Sequence, residues 1–276
     1  MKLGTLVKPV LVAALLTTGT VAAAPSAQQV LASSPVDDIV ARYPAMMSQG
    51  IRDGLKRSGQ VPPMVADTIG HVVSSSFRAA DIEAAIVQDL QDNLTDQQLQ
   101  AVRDWYESPV ARKIAAAEIA AADPANWQAI QSRAPDLNAR YKGTERARLF
   151  DRFDRAARAT ESAVDTAIAV QLGLATAMAA FSSDSVHYDQ LKQRIESQRS
   201  VLRGVVEQQV YDSYLYTYEK IGAQEMGLYL DFLESGPGSA FSRVVTNSIQ
   251  RAVTEPIESV GNQMARFLGP EPAGGE

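Results

Sequence analysis

The run Leu94-Thr95-Asp96-Gln97-Gln98-Leu99 leads on to Asp104-Trp105-Tyr106-Glu107-Ser108-Pro109. A variant returns as Ile221-Gly222-Ala223-Gln224-Glu225-Met226, leading on to Asp231-Phe232-Leu233-Glu234-Ser235-Gly236-Pro237-Gly238. The offset is 127 residues at both ends, from 94 to 221 and from 107 to 234. A constant offset over such a stretch points to internal duplication. In the first run Thr95-x-x-Gln98 is a capping box that opens a helix, with Leu99, Val102 and Tyr106 as its apolar stripe. Ser108-Pro109 ends that helix and starts the next, because the residue before a proline avoids helical angles while proline suits a first helical turn. The run therefore encodes a helix, a sharp corner and a second helix. Its corner residues are Trp105, Tyr106, Ser108 and Pro109 in the first copy, and Phe232, Leu233, Ser235, Pro237 and Gly238 in the second, where the proline has moved one place.

Working outward, Ser34-Pro35 reads as a cap and first turn, and Val36, Ile39, Val40, Tyr43, Met47, Ile51 and Leu55 follow at helical spacing with a kink at Pro44. Residues 24–33, rich in Ser, Ala and Gln, read as loose. Val65 to Phe77 and Ile82 to Leu94 mark two more helices. Val110, Ile114, Ala117 and Ala121 form the stripe after the first corner, and Asp123-Pro124 and Ala134-Pro135 read as breaks. A long pattern spans about 145–181, with Ala169, Gly173 and Ala177 four residues apart, and Ser182-Ser183-Asp184 ends it. Leu191 to Val210 continue in helical phase, the second corner follows, and Pro256 reads as a further interruption. No alternating strand pattern occurs. The expected fold is all-α, with two related helical halves of four to five helices each, at 34–142 and 144–268, and a disordered tail at 269–276.

The first 23 residues carry Lys2 and Lys8, then an apolar run from Val10 to Val21, then small residues up to Ala23. This is the pattern of a secretory signal peptide cleaved near Ala23, and it predicts a periplasmic or secreted protein. Without Lys2 and Lys8 the chain has 24 basic against 32 acidic side chains. An acidic balance argues against nucleic acid, whose binding needs basic surface. Cysteine is absent, so disulfides cannot hold such a chain together and a buried core must. Residues 162–181 are nearly uncharged, but Asp165, Gln171 and the many alanines argue against stable membrane insertion of the mature chain.

Chemistry is sparse. Asp104 with Glu107, and Asp231 with Glu234, place two carboxylates on one helical face in each copy. They could bind a metal or do acid–base work, or they could be a solvated face whose glutamates favour the positive start of the next helix. The two histidines, His71 and His187, stand apart: the first reads as partly buried on a helix, the second as exposed. No hydrolase, zinc or phosphate-loop motif occurs, so neither a catalytic residue, a cofactor nor a metal is expected. Tyr211, Tyr214 and Tyr218 share one helical side and are either packing residues or the wall of a groove for a peptide or glycan.

Trp105-Tyr106-Glu107-Ser108-Pro109-Val110-Ala111-Arg112-Lys113, just after its Leu-Thr-x-x-Gln-Leu helix start, resembles the family called domain of unknown function 2059. That family typically has glycine where Ala111 stands; the second copy keeps glycine at Gly238. The resemblance implies an exported helical protein of Gram-negative bacteria and brings no catalytic residues with it. The combined reading is an exported binding or chaperone-like module for a periplasmic protein or peptide. The alternatives are an enzyme using the duplicated acids and a structural part of the envelope.

Overall fold

The computed structural model describes residues 24–59, 62–181 and 188–268. Among them the chain is all-α, with fourteen helices: α1 (Ala27–Ser33), α2 (Pro35–Val40), α3 (Tyr43–Ser58), α4 (Pro63–Ser76), α5 (Ala79–Asn93), α6 (Asp96–Tyr106), α7 (Pro109–Ala121), α8 (Trp127–Tyr141), α9 (Glu145–Ala157), α10 (Ala159–Phe181), α11 (Tyr188–Glu196), α12 (Arg199–Thr217), α13 (Ala223–Glu234) and α14 (Gly236–Leu268). The expected signal peptide and disordered tail, the Ser182-Ser183-Asp184 break and His187 lie outside the described residues.

Local signals explain most boundaries. The Thr95 side chain accepts from the Gln98 N–H while Gln98 accepts from the Thr95 N–H, which opens α6. Ser108 Oγ accepts from Ala111 N at 3.2 Å and Pro109 takes the first position of α7. At the second corner Ser235 Oγ accepts from Gly238 N at 3.1 Å, and Glu225 accepts from the Gly222 N–H as the helix-opening half of a box. Gly59 closes α3 at φ 64°, a left-handed conformation that glycine adopts without strain.

Several boundaries depart from the periodicity. The supposedly loose 24–33 stretch contains α1, which Ser26 and Gln29 cap reciprocally. Its Val30 and Leu31 are fully buried, because Ala27, Val30 and Leu31 make a short apolar stripe that the alanine-rich composition hides. Pro135 does not break its helix. It sits inside α8, where the lost backbone bond is outweighed by the burial of Ala134 and Leu137 and by Asn138, which donates to Ala134 O and to Asp212 of α12. α14 also runs through Pro256 to Leu268. The long 145–181 pattern does break, at Arg158, whose φ of 52° separates α9 from α10. His71 is exposed rather than partly buried. Between 34 and 142 the described residues form seven α-helices where periodicity reads four or five, because Pro44, Pro63 and Pro109 each start a new one.

α14 and α12 are the two spines of the packing. α14 lies against α5, α6, α10 and α13, and α12 against α7, α8, α9 and α10. One continuous core draws on both ends of the chain. Val30, Ile86, Leu90, Val102 and Ile114 meet Leu215, Ile221, Met226 and Leu230 in it, all 2% exposed or less. Burying each such side chain contributes about 1.5–3 kcal/mol. A smaller cluster, Ile51, Leu55, Ile69, Phe77, Ala169 and Val253, joins α3 and α4 to α10 and α14. Ala169 is thus buried, as expected of the small-residue stripe.

Candidate functional site

The two corners pack on each other. Trp105 stacks on Phe232 with ring centroids 4.8 Å apart and lies parallel to Tyr229 at 6.2 Å. Tyr106 meets Phe232 and Phe241 edge-on, both at 5.7 Å. Tyr106, Phe232 and Leu233 are buried, and Trp105 is half-buried. These residues form the joint of the fold, and of them Leu233 also lines a pocket of about 300 Å³.

The four acids are exposed and remain separate from any cleft shared by the two copies. Asp104 accepts from Gln100 at 2.7 Å and Glu107 from Arg103 at 2.7 Å, both one turn back on α6. Arg152 of α9 bonds both carboxyl oxygens of Glu234, at 2.6 and 3.0 Å, and reaches Asp231 at 3.3 Å. That guanidinium holds the Glu234 carboxyl below its usual range. Among the described residues no three His, Cys, Asp or Glu side chains are grouped as a metal would need.

The tyrosines of α12 divide. Tyr211 packs half-exposed on Phe150. Tyr214 and Tyr218 are buried, stack on Phe153 and line a cleft of about 800 Å³. Residues from α2, α3, α7, α8 and α9 complete its wall, among them Ile39, Met46, Trp127 and Ile130. Glu118 of α7 opens into the same cleft. Its Oε1 accepts from Tyr218 Oη at 2.6 Å and from Tyr229 Oη at 2.8 Å, and among the described residues no arginine or lysine forms an ion pair with it. Burial raises the Glu118 carboxyl above its ordinary value of 4.5, partly opposed by the two tyrosine donors. Burial and the nearby Glu118 charge together push Tyr218 and Tyr229 well above the usual phenol range. Two charged neighbours in the cleft have partners of their own: Asp212 accepts from Asn138 and Gln208, both at 2.7 Å, and Arg57 donates to Asp53 O.

Sequence reasoning passes over Glu118, although a signal exists. Ala111 and Ile114 are the buried residues of α7, and Glu118 follows at the next step of that stripe, a carboxylate on an otherwise apolar face. At the same register of the second copy, 127 residues on, stands buried Val245. The helix face therefore accepts an apolar side chain there, and packing alone does not call for a glutamate.

No helix among the described residues is long and apolar enough to cross a membrane. No curated protein and no solved structure matches the chain. Residues 80–140, from the start of α5 through the first corner and Glu118 into α8, match the family model described as an uncharacterized protein conserved in bacteria, DUF2059.

Proposed function

We propose that this is an exported, non-enzymatic binding module, with a chaperone-like role toward periplasmic peptides, and that the cleft at Glu118 receives a cationic group carried on an apolar body. The observation that carries the reading is a carboxylate set in an aromatic wall with two tyrosine donors and no basic partner. A buried charge without a counter-charge is costly; an ammonium or guanidinium group from a ligand compensates it, and ring faces such as those of Trp127 and Tyr214 favour a cation further. The cleft volume suits a side chain or short segment. Export rests on the pattern of residues 1–23. Less supports the enzyme reading built on the duplicated acids, because those acids are exposed and engaged with Gln100, Arg103 and Arg152. Nothing specific favours a structural role in the envelope.

Trp127 lines the cleft and Trp105 does not, so a Trp105→Phe protein reports from the cleft by fluorescence. Titration with a blocked leucine–lysine–leucine peptide is expected to saturate. The glutamate counterpart should give no change, and Glu118→Gln should weaken the lysine peptide by about tenfold. Equal response to both peptides, or no effect of the glutamine variant, overturns the reading.

A further inference from the structure

The arginines of this chain are almost all engaged. Among the arginines whose side chains are described, Arg155, Arg158, Arg194 and Arg243 make neither a hydrogen bond nor an ion pair, while Arg103, Arg133, Arg140, Arg152, Arg199, Arg203 and Arg251 all hold carboxylates. Three of those four, Arg155, Arg158 and Arg243, line one and the same pocket of about 300 Å³. Ser239 and Ser242, from the first turns of α14, line it as well, and neither hydroxyl has a partner. The one acid in the wall, Glu234, has both oxygens matched by Arg152.

Three arginines around one pocket, against a single carboxylate whose charge acts on Arg155, leave an excess of positive charge there. In a chain of net charge −6 with 32 acidic residues, the acid in this wall, Glu234, is already bonded through both oxygens to Arg152 and offsets only part of their charge. Arg158 adds a second cost: it holds a left-handed backbone conformation at φ 52°, which glycine adopts freely and a side chain with a Cβ resists. Both costs are offset if an anion occupies the pocket. Planar guanidinium groups grip phosphate oxygens two at a time, and hydroxyls supply further donors.

We propose that the pocket between the end of α9 and the start of α14 binds a phosphate group through Arg155, Arg158 and Arg243, assisted by the Ser239 and Ser242 hydroxyls. This site is separate from the cleft at Glu118 and stands whether or not that cleft binds a cation. The phosphate could belong to a soluble phosphomonoester or to a lipid headgroup, and both present the same dianion to the arginines.

The test is calorimetric titration of the full chain with inorganic phosphate in chloride buffer of fixed ionic strength. The wild type is expected to bind one phosphate saturably. Arg155→Ala and Arg243→Ala should each weaken binding by about tenfold and the double variant should abolish it. Arg194→Ala, which removes the unpaired arginine outside the pocket, should leave it unchanged. All these side chains are exposed and without partners, so unchanged melting curves are expected and certify the fold. Absence of saturable binding in the wild type, or equal weakening by Arg194→Ala, overturns the proposal. A parallel sedimentation assay uses phosphatidylcholine vesicles with and without phosphatidic acid. Arginine-dependent binding to the phosphatidic acid vesicles alone assigns the lipid source, and binding of free phosphate without it assigns a soluble one.

Discussion

Trp105 and Phe232 stand 127 positions apart in the sequence, at the same place in the two copies of the corner, and their rings lie face to face 4.8 Å apart and 9° from parallel. The two corner motifs thus meet through residues at matching positions of the repeated string. Around them α5 lies on α14, and α12 lies on α7.

That stack makes the first prediction. Trp105→Ala should cost about 3 kcal/mol of unfolding free energy, from lost burial and lost ring contact with Phe232 and Tyr229. Trp105→Phe should cost far less. It keeps a ring in place and removes an indole N–H that is buried without an acceptor, a group whose desolvation costs about 1–3 kcal/mol. Urea denaturation of the three proteins decides the matter; equal losses for Ala and Phe would show that the ring stack contributes nothing.

The corners differ in how closely their helices approach. A Cβ built on Gly238 would fall 1.9 Å from the Phe232 carbonyl oxygen, whereas the first corner holds Ala111 with its side chain buried. Gly238→Ala should therefore be strongly destabilising, by about 2 kcal/mol or more. Ala111→Gly should cost only about 1 kcal/mol, the usual penalty of glycine within a helix. Thermal melts of the two variants test the order, and a milder effect at 238 than at 111 would contradict it.

These corners were readable from the chain because capping serines, prolines and the 127-residue offset are local signals. Other features were not. Pro135 looks like a break until α12 is in place, where Asp212 accepts from Asn138. Arg158 carries no turn signal, since arginine rarely takes a left-handed conformation, and so the end of α9 is invisible in the periodicity. Glu118 becomes a candidate only when Tyr218 and Tyr229, from 100 and 111 residues away, bring their hydroxyls to it. The convergence of Arg155 and Arg158 with Arg243 is likewise a product of tertiary packing.

The duplicated acids yield a prediction by their exposure. Asp231 and Glu234 are held by Arg152 at the surface, where ion pairs contribute little and are screened by salt. Replacing Asp104, Glu107, Asp231 and Glu234 together with Asn and Gln is expected to leave the melting temperature nearly unchanged in physiological salt. It should also leave lysine-peptide binding in the cleft intact. Calorimetry with calcium or zinc chloride provides the counter-test: a cation that binds the wild type and not the quadruple variant would return the acids to the list of functional groups.

Glu118 provides the pH prediction. Its carboxyl is raised in the folded state, first by burial, and takes its ordinary value near 4.5 when the chain unfolds. Below that value both states hold the proton and the group's contribution to stability is complete. Above it the unfolded chain releases its proton while the folded one keeps it, so stability falls as pH rises, until the folded carboxyl ionises too. Tyr218 and Tyr229 stay protonated throughout, because burial and Glu118 push them up. Glu118→Gln keeps an oxygen for both tyrosine hydroxyls and cannot ionise. Unfolding curves taken from about pH 4 to about pH 8 should find the two proteins close together at the acid end and the glutamine variant more stable at neutral pH. Peptide binding should run the other way, strengthening as pH rises and Glu118 becomes charged, with no such rise in the variant. If wild type and variant keep a constant difference in stability over the whole range, the folded carboxyl holds its proton no more tightly than the unfolded one, and the burial assigned to Glu118 is refuted.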